Sequence, residues 1–159
     1  MKSNLKLPAL DPAQVAAATG SSYPEQYRAA VAGRSKRRLG DALGLSIFGV
    51  NLTTIKPGAQ SALRHWHSAQ DEFIYMVEGE LVLVTDGGEQ ALRPGMCAGF
   101  PAGKVDGHHL VNRSGRDAVY LEVGDRTKSD VVTYPDNDIL APATRDGSRR
   151  FTKKDGTPY

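Results

Sequence analysis

The hydrophobic pattern of the chain changes character at about Leu45. Downstream of it, short apolar and β-branched runs recur between turn signals, which is the grammar of β-strands. LSIFGVNLTTI stops at Pro57-Gly58, EFIYMV at Glu78-Gly79-Glu80, LVLVT at Asp86-Gly87-Gly88 and EQAL at Pro94-Gly95. VYLEVG reads as the last core strand, and VVTYP, halted by Pro135, as an edge strand. Alternation in EFIYMV places Glu72, Ile74 and Met76 on one face and Phe73, Tyr75 and Val77 on the other. The first set belongs in the interior. The second forms an apolar outer face that needs a cover, from an N-terminal arm, a second subunit or both, and a homodimer is the expectation.

Upstream of Gly33 there is no such alternation. Asp11-Pro12 followed by AQVAAAT and Gly20 predicts a short helix with Asp11 as its N-cap and Pro12 at its first position. Pro24 and EQYRAAVAG repeat the design, with Tyr27 and Val31 on one face. Neither helix is long enough to stand alone, so both must pack on the strands. After Ile139 the chain is polar and turn-rich, with Phe151 and Tyr159 as possible anchors and Arg149, Arg150, Lys153 and Lys154 in solvent. The organisation expected is an arm over 1–33, a β domain over 34–140 and a tail over 141–159.

Composition adds little to the fold but narrows the function. Seventeen glycines and nine prolines in 159 residues suit a turn-rich β protein. Twenty basic against eighteen acidic residues leave a formal charge of +2, so no global field attracts nucleic acid. The run Arg34, Lys36, Arg37, Arg38 reads as a solvated or salt-bridged face. A single cysteine, Cys97, rules out an internal disulfide, fits a reducing compartment and, among small apolar neighbours, reads as a buried thiol. The N-terminal basic residues precede no apolar run, and no stretch has transmembrane length, so the expectation is a cytoplasmic protein with no membrane partner.

The chemistry is concentrated between Arg64 and Asn112, which contains all four histidines. His65 and His67, two apart on a strand, point the same way at about 6.5 to 7 Å between Cα atoms, close enough to share a metal ion. Glu72 on an apolar interior face needs a cation or hydrogen-bond partner to stay charged. His108 and His109 are adjacent and so face opposite sides of a strand, unless a bulge intervenes.

These residues also carry a resemblance. Gly58, His65-x-His67, Glu72 and Gly79, then Gly95, Pro101-x-Gly103, His108 and Asn112, resemble the two-part signature of the cupin superfamily. The gaps from Gly58 to His65 and from Gly103 to His108 are longer than in the usual pattern. The wider stretch over 34–138 is similar to a bacterial group of small single-domain cupins named for sugar-phosphate isomerases. The resemblance implies an all-β double-stranded β-helix (jelly-roll) cupin barrel, here with the short helical arm. It implies a divalent metal ion (Zn, Fe, Mn or Ni) held by His65, His67, Glu72 and His108. His109 and Asn112 then stand behind the ligands or as alternatives, and Arg64 is a candidate for binding substrate, as is the 34–38 run if it reaches the mouth of the site.

Cupins serve many chemistries, so the resemblance fixes no reaction. The leading expectation is a metal-dependent enzyme acting on a small oxygenated substrate such as a sugar or sugar-phosphate. The alternatives are a non-catalytic binding or sensing protein, and a structural barrel whose site is plugged by Met76, Phe100 or Leu110. With Glu72 used as a ligand and Tyr75 and Tyr120 expected to face outward, no interior acid or base is left to name.

Overall fold

The computed structural model describes residues 5–142 and 150–159. Twelve strands account for most of the regular structure: β1 (Ala17–Thr19), β2 (Arg34–Arg38), β3 (Phe48–Ile55), β4 (Trp66–His67), β5 (Glu72–Glu78), β6 (Leu81–Thr85), β7 (Gly88–Leu92), β8 (Cys97–Phe100), β9 (His109–Val111), β10 (Ala118–Asp125), β11 (Val131–Tyr134) and β12 (Ile139–Pro142). They form a six-stranded sheet in the order β1-β2-β3-β10-β5-β8 and two three-stranded sheets, β12-β11-β4 and β7-β6-β9. Every named pairing is antiparallel.

The closed barrel expected from the sequence is not what forms. Among the described residues the three sheets are open and no ladder joins them into a ring. The reason lies in the stretch after β3, which runs through turns and bends and contributes only isolated bridges, Gln60 to Val111 and His65 to His108. β4 is two residues long and pairs with β11 alone. Apolar side chains between the sheets, including Ile55, Ile74, Met76, Leu81, Leu110 and Tyr120, make one core. A second core of Leu63, Val132, Tyr134 and Ile139 takes in Tyr23 and Val31 from the N-terminal arm.

The arm differs from its sequence reading. Asp11 does cap a turn, its Oδ1 accepting from the Ala13 N–H at 2.9 Å, but the 3-10 turn spans only Pro12–Gln14. The alanines beyond it form β1, paired with β2 through Ala17–Arg37, Ala18–Lys36 and Thr19–Ser35. A helix that short has little stability of its own, so a ready sheet edge overrides alanine's helix propensity. The second segment is a helix, α1 (Glu25–Arg28), continued by a 3-10 turn over Ala29–Val31, with Val31 fully buried. A further short helix, α2 (Leu39–Ala42), links β2 to β3.

Three smaller expectations also change. β11 is the central strand of its sheet rather than an edge. Cys97 is exposed, because β8 is an edge strand and the thiol lies on its outer face opposite Tyr75. Tyr120 faces inward and is only 2% exposed. The alternation of β5 holds: Ile74 and Met76 are buried, while Phe73, Tyr75 and Val77 are 41%, 43% and 48% exposed. In the tail, Phe151 packs on Tyr23 at 5.3 Å between ring centroids and Tyr159 on Tyr27 at 6.1 Å. Arg149 lies outside the described residues.

Candidate metal centre

Three segments distant in sequence bring the imidazoles together. His67 sits on β4, where it faces Val132 of β11. His65 exchanges backbone hydrogen bonds with His108, N–H to carbonyl at 3.2 and 2.8 Å. Glu72 opens β5, flanked by Gly124 on β10 and Phe100 on β8. The result is a convergence on one oxygen: Glu72 Oε2 lies 2.9 Å from His108 Nε2, 3.4 Å from His67 Nε2 and 3.7 Å from His65 Nε2. Donor atoms of His65, His67 and Glu72 all lie within 4.8 Å of one another, a separation that a single divalent ion can span.

The second nitrogens of two rings are already occupied. His65 Nδ1 is 2.8 Å from the Leu63 carbonyl and His67 Nδ1 is 2.7 Å from Asp130 Oδ2. A carbonyl and a carboxylate only accept, so both rings carry their proton on Nδ1 and turn the Nε2 lone pair toward Glu72. Asp130 is fully buried and is itself fixed by the Ala69 N–H at 2.9 Å. His108 is held differently: its ring lies flat against Phe100, with centroids 3.6 Å apart and planes 4° apart.

Electrostatics fit cation binding. Burial pushes the His65 imidazole down to about 3, outweighing the pull of Glu72, so the ring is neutral and available as a ligand at neutral pH. Burial on its own would raise the Glu72 carboxyl. The hydrogen bond donated by His108 outweighs it and holds the group well below the usual carboxylate range. A neutral imidazole beside an ionised carboxylate is the donor set that divalent transition metals favour.

The cluster lies in the wall of a cavity of about 470 Å³. Phe100 and Leu110 line that cavity without filling it, and Met76 is buried in the core. Across the sheet from the histidines are groups the sequence did not point to. Glu122 on β10 accepts from Lys36 Nζ at 2.5 Å, Asn51 Nδ2 at 2.8 Å and the Tyr120 hydroxyl at 3.0 Å. The alternation of VYLEVG gave Glu122 and Tyr120 a common face. The sequence lacked any sign that this face is the inner one.

The remaining sequence candidates lie around the site rather than in it. Arg64 points away from the cavity, its guanidinium forked onto Asp136 with both contacts at 2.6 Å and also paired with Asp86. His109 reaches the cavity lining, and its Nδ1 lies 3.1 Å from the Ala62 carbonyl. Asn112 is fully buried and ties the β9–β10 connection, donating to the carbonyls of Ile55 and Arg116 and accepting from Ser114. Among the described residues no helix is long and apolar enough to cross a membrane.

Comparison with known proteins agrees with this architecture. The cupin domain family model matches residues 51–124. A sugar phosphate isomerase from a cupin superfamily, from Silicibacter pomeroyi, is 49% identical, with 96% of each chain covered and a TM-score of 0.91. A provisionally named sugar phosphate isomerase from Acidithiobacillus ferrooxidans is 28% identical over 79% of this chain and 80% of its own, with a TM-score of 0.71. The polyketide cyclase RemF from Streptomyces resistomycificus shares the fold, with a TM-score of 0.61 at 22% identity over 74% of this chain and 78% of its own. No functionally curated protein matches the sequence. With half its residues shared with the Silicibacter protein over nearly the whole length, and with a cavity-lining His/His/Glu cluster able to coordinate a divalent cation, the chain belongs to the cupin superfamily.

Proposed function

We propose that this protein is a metal-dependent enzyme acting on a small oxygenated substrate of the sugar or sugar-phosphate class, with His65, His67, Glu72 and His108 as the metal ligands. The observation that carries the reading is the convergence of three imidazole Nε2 atoms on one Glu72 oxygen beside an open cavity. A divalent cation supplies Lewis-acid polarisation of a substrate carbonyl at such a site. The chain's part is to hold the ligands in register through Leu63, Asp130 and Phe100, and to keep polar groups on the opposite wall for the rest of the substrate. The sugar phosphate isomerase name of the Silicibacter relative supports the substrate class. The unfilled cavity favours this reading over a plugged, vestigial site.

Two further parts of the reading concern assembly and place. The outer face of β5 supports a homodimer, since Phe73, Tyr75 and Val77 together leave an apolar stripe in solvent on a single copy. The exposed free thiol of Cys97 supports a reducing, cytoplasmic setting.

The deciding experiment is elemental analysis of untagged protein beside a His65→Ala/His67→Ala variant. One equivalent of zinc, iron, manganese or nickel per chain, lost in the variant, is the expected result. Failure to take up any of these four ions, even after reconstitution, overturns the reading.

A further inference from the structure

β2 brings more positive charge to the cavity than its partners neutralise. Its alternation turns Arg34, Lys36 and Arg38 to the cavity, while Arg37 on the other face donates to the Val15 carbonyl. The neighbouring charges are largely matched. Lys36 pairs with Glu122 and, at the rim, Arg126 with Asp41. The Asp125 carboxylate, also in the lining, keeps its negative charge and is held by the Asp71 and Thr127 N–H groups at 2.8 Å each. Arg34 donates to the Ser61 carbonyl, but neither it nor Arg38 has a carboxylate partner among the described residues. Two unmatched guanidinium groups therefore flank Lys36, each about 6.5 to 7 Å from it along the strand.

The register places this charge relative to the metal cluster. Arg38, Asn51, Glu122 and Ile74 form one row across β2, β3, β10 and β5. The adjacent row contains Gly49, Gly124 and Glu72. Three strand spacings, about 14 Å of backbone, separate the two ends of a row. Side chains from both ends shorten that span to the length of a small polyhydroxylated molecule. Gly49 and Gly124, both lining the cavity, have no side chains of their own there, and the Arg126 guanidinium lies over Gly49, 3.7 Å from where its Cβ would be.

We propose that the inner face of β2 is an oxyanion subsite, in which Arg34, Lys36 and Arg38 bind the phosphate or carboxylate group of a small polyhydroxylated ligand. Guanidinium forks match the oxygens of either group, and the Lys36 ammonium has protons to share between Glu122 and the ligand. The subsite lies outside the matched cupin domain, since β2 precedes residue 51. It rests on the proposed function only for what the far end of the ligand reaches.

The test therefore uses metal-free protein, titrated calorimetrically with inorganic phosphate at low salt. Saturable binding that weakens with added chloride is expected, about tenfold weaker in Arg38→Met and in Lys36→Met. Arg38 is exposed and has no ion-pair partner among the described residues, so its variant keeps the test sound if Lys36→Met folds poorly. The surface control Arg113→Met, whose side chain pairs with Glu89, should bind phosphate as the parent does. Glucose 6-phosphate against gluconate then identifies the anion, and a preference for either over glucose supports the subsite. No phosphate binding, or equal affinity in the parent, Arg38→Met and Lys36→Met, overturns it. Neither result depends on whether the protein takes up metal.

Discussion

His65 and His108, far apart in sequence, exchange both of their backbone hydrogen bonds, at 3.2 and 2.8 Å. The bridge aligns their rings at 4.9 Å between centroids, so two of the histidines are brought to Glu72 by the backbone itself. The third depends on a side chain. His67 is oriented by Asp130, which sits just ahead of β11.

Replacing Asp130 should therefore weaken metal binding without removing a ligand. Asp130→Asn is expected to lower affinity by about 10- to 100-fold while leaving the fold intact. Competition against a chelator, with circular dichroism as the check on folding, measures this directly. Unchanged affinity would mean that Asp130 is only a packing element.

The Arg64–Asp136 pair should show its contribution in the pH dependence of stability. The hydrogen bonds from Arg64 hold the Asp136 carboxyl below its usual range. A depressed folded-state value stabilises the protein above the unfolded value near 4, and that stabilisation is lost as pH falls further. Asp136 is half exposed, so Asp136→Asn is expected to cost only about 1 kcal/mol at pH 7. Denaturant titrations should show the gap narrowing as pH falls below about 4 and the two proteins converging in strong acid, below the folded-state value. A gap that persists there would refute an electrostatic origin.

Gly79 turns the chain between β5 and β6 at a φ of +74°, and a Cβ there would lie 2.7 Å from the Asp117 carbonyl oxygen. Both the backbone conformation and the space demand glycine. Gly79→Ala should lose about 2–4 kcal/mol, lowering Tm by roughly 5–15 °C. A melting curve within a degree of the parent would disprove the clash.

Light scattering tests the outer face of β5. The parent should elute with the mass of a dimer, and Tyr75→Glu/Val77→Glu with that of a monomer, because a charge on each strand position opposes burial of the stripe. A monomeric parent protein would leave the stripe without this role.

Much of the site was legible because its determinants are local. The i, i+2 spacing of His65 and His67 and the alternation of EFIYMV each follow from strand geometry within a few residues. Adjacent histidines must face apart, which left one of His108 and His109 for the cluster. The pairing of strands is not local. Whether Ala17–Thr19 coils or joins an edge depends on β2 being there to receive it. Which face of VYLEVG turns inward, and so the place of Glu122, is decided by β3 and β5 on either side. The expected barrel failed for the same reason: periodicity identifies strands, whereas closure depends on ladders between distant segments.

β4 offers only two residues of ladder, and what aligns its stretch of chain is largely the histidines, Asp130 and the bridge to residue 108. The groups that give the pocket its chemistry thus also stitch one sheet to the next. A substitution at His65 or His67 is felt twice, as a lost member of the His/His/Glu cluster and as a slackened seam, so this part of the protein has little freedom to change in sequence while keeping its shape.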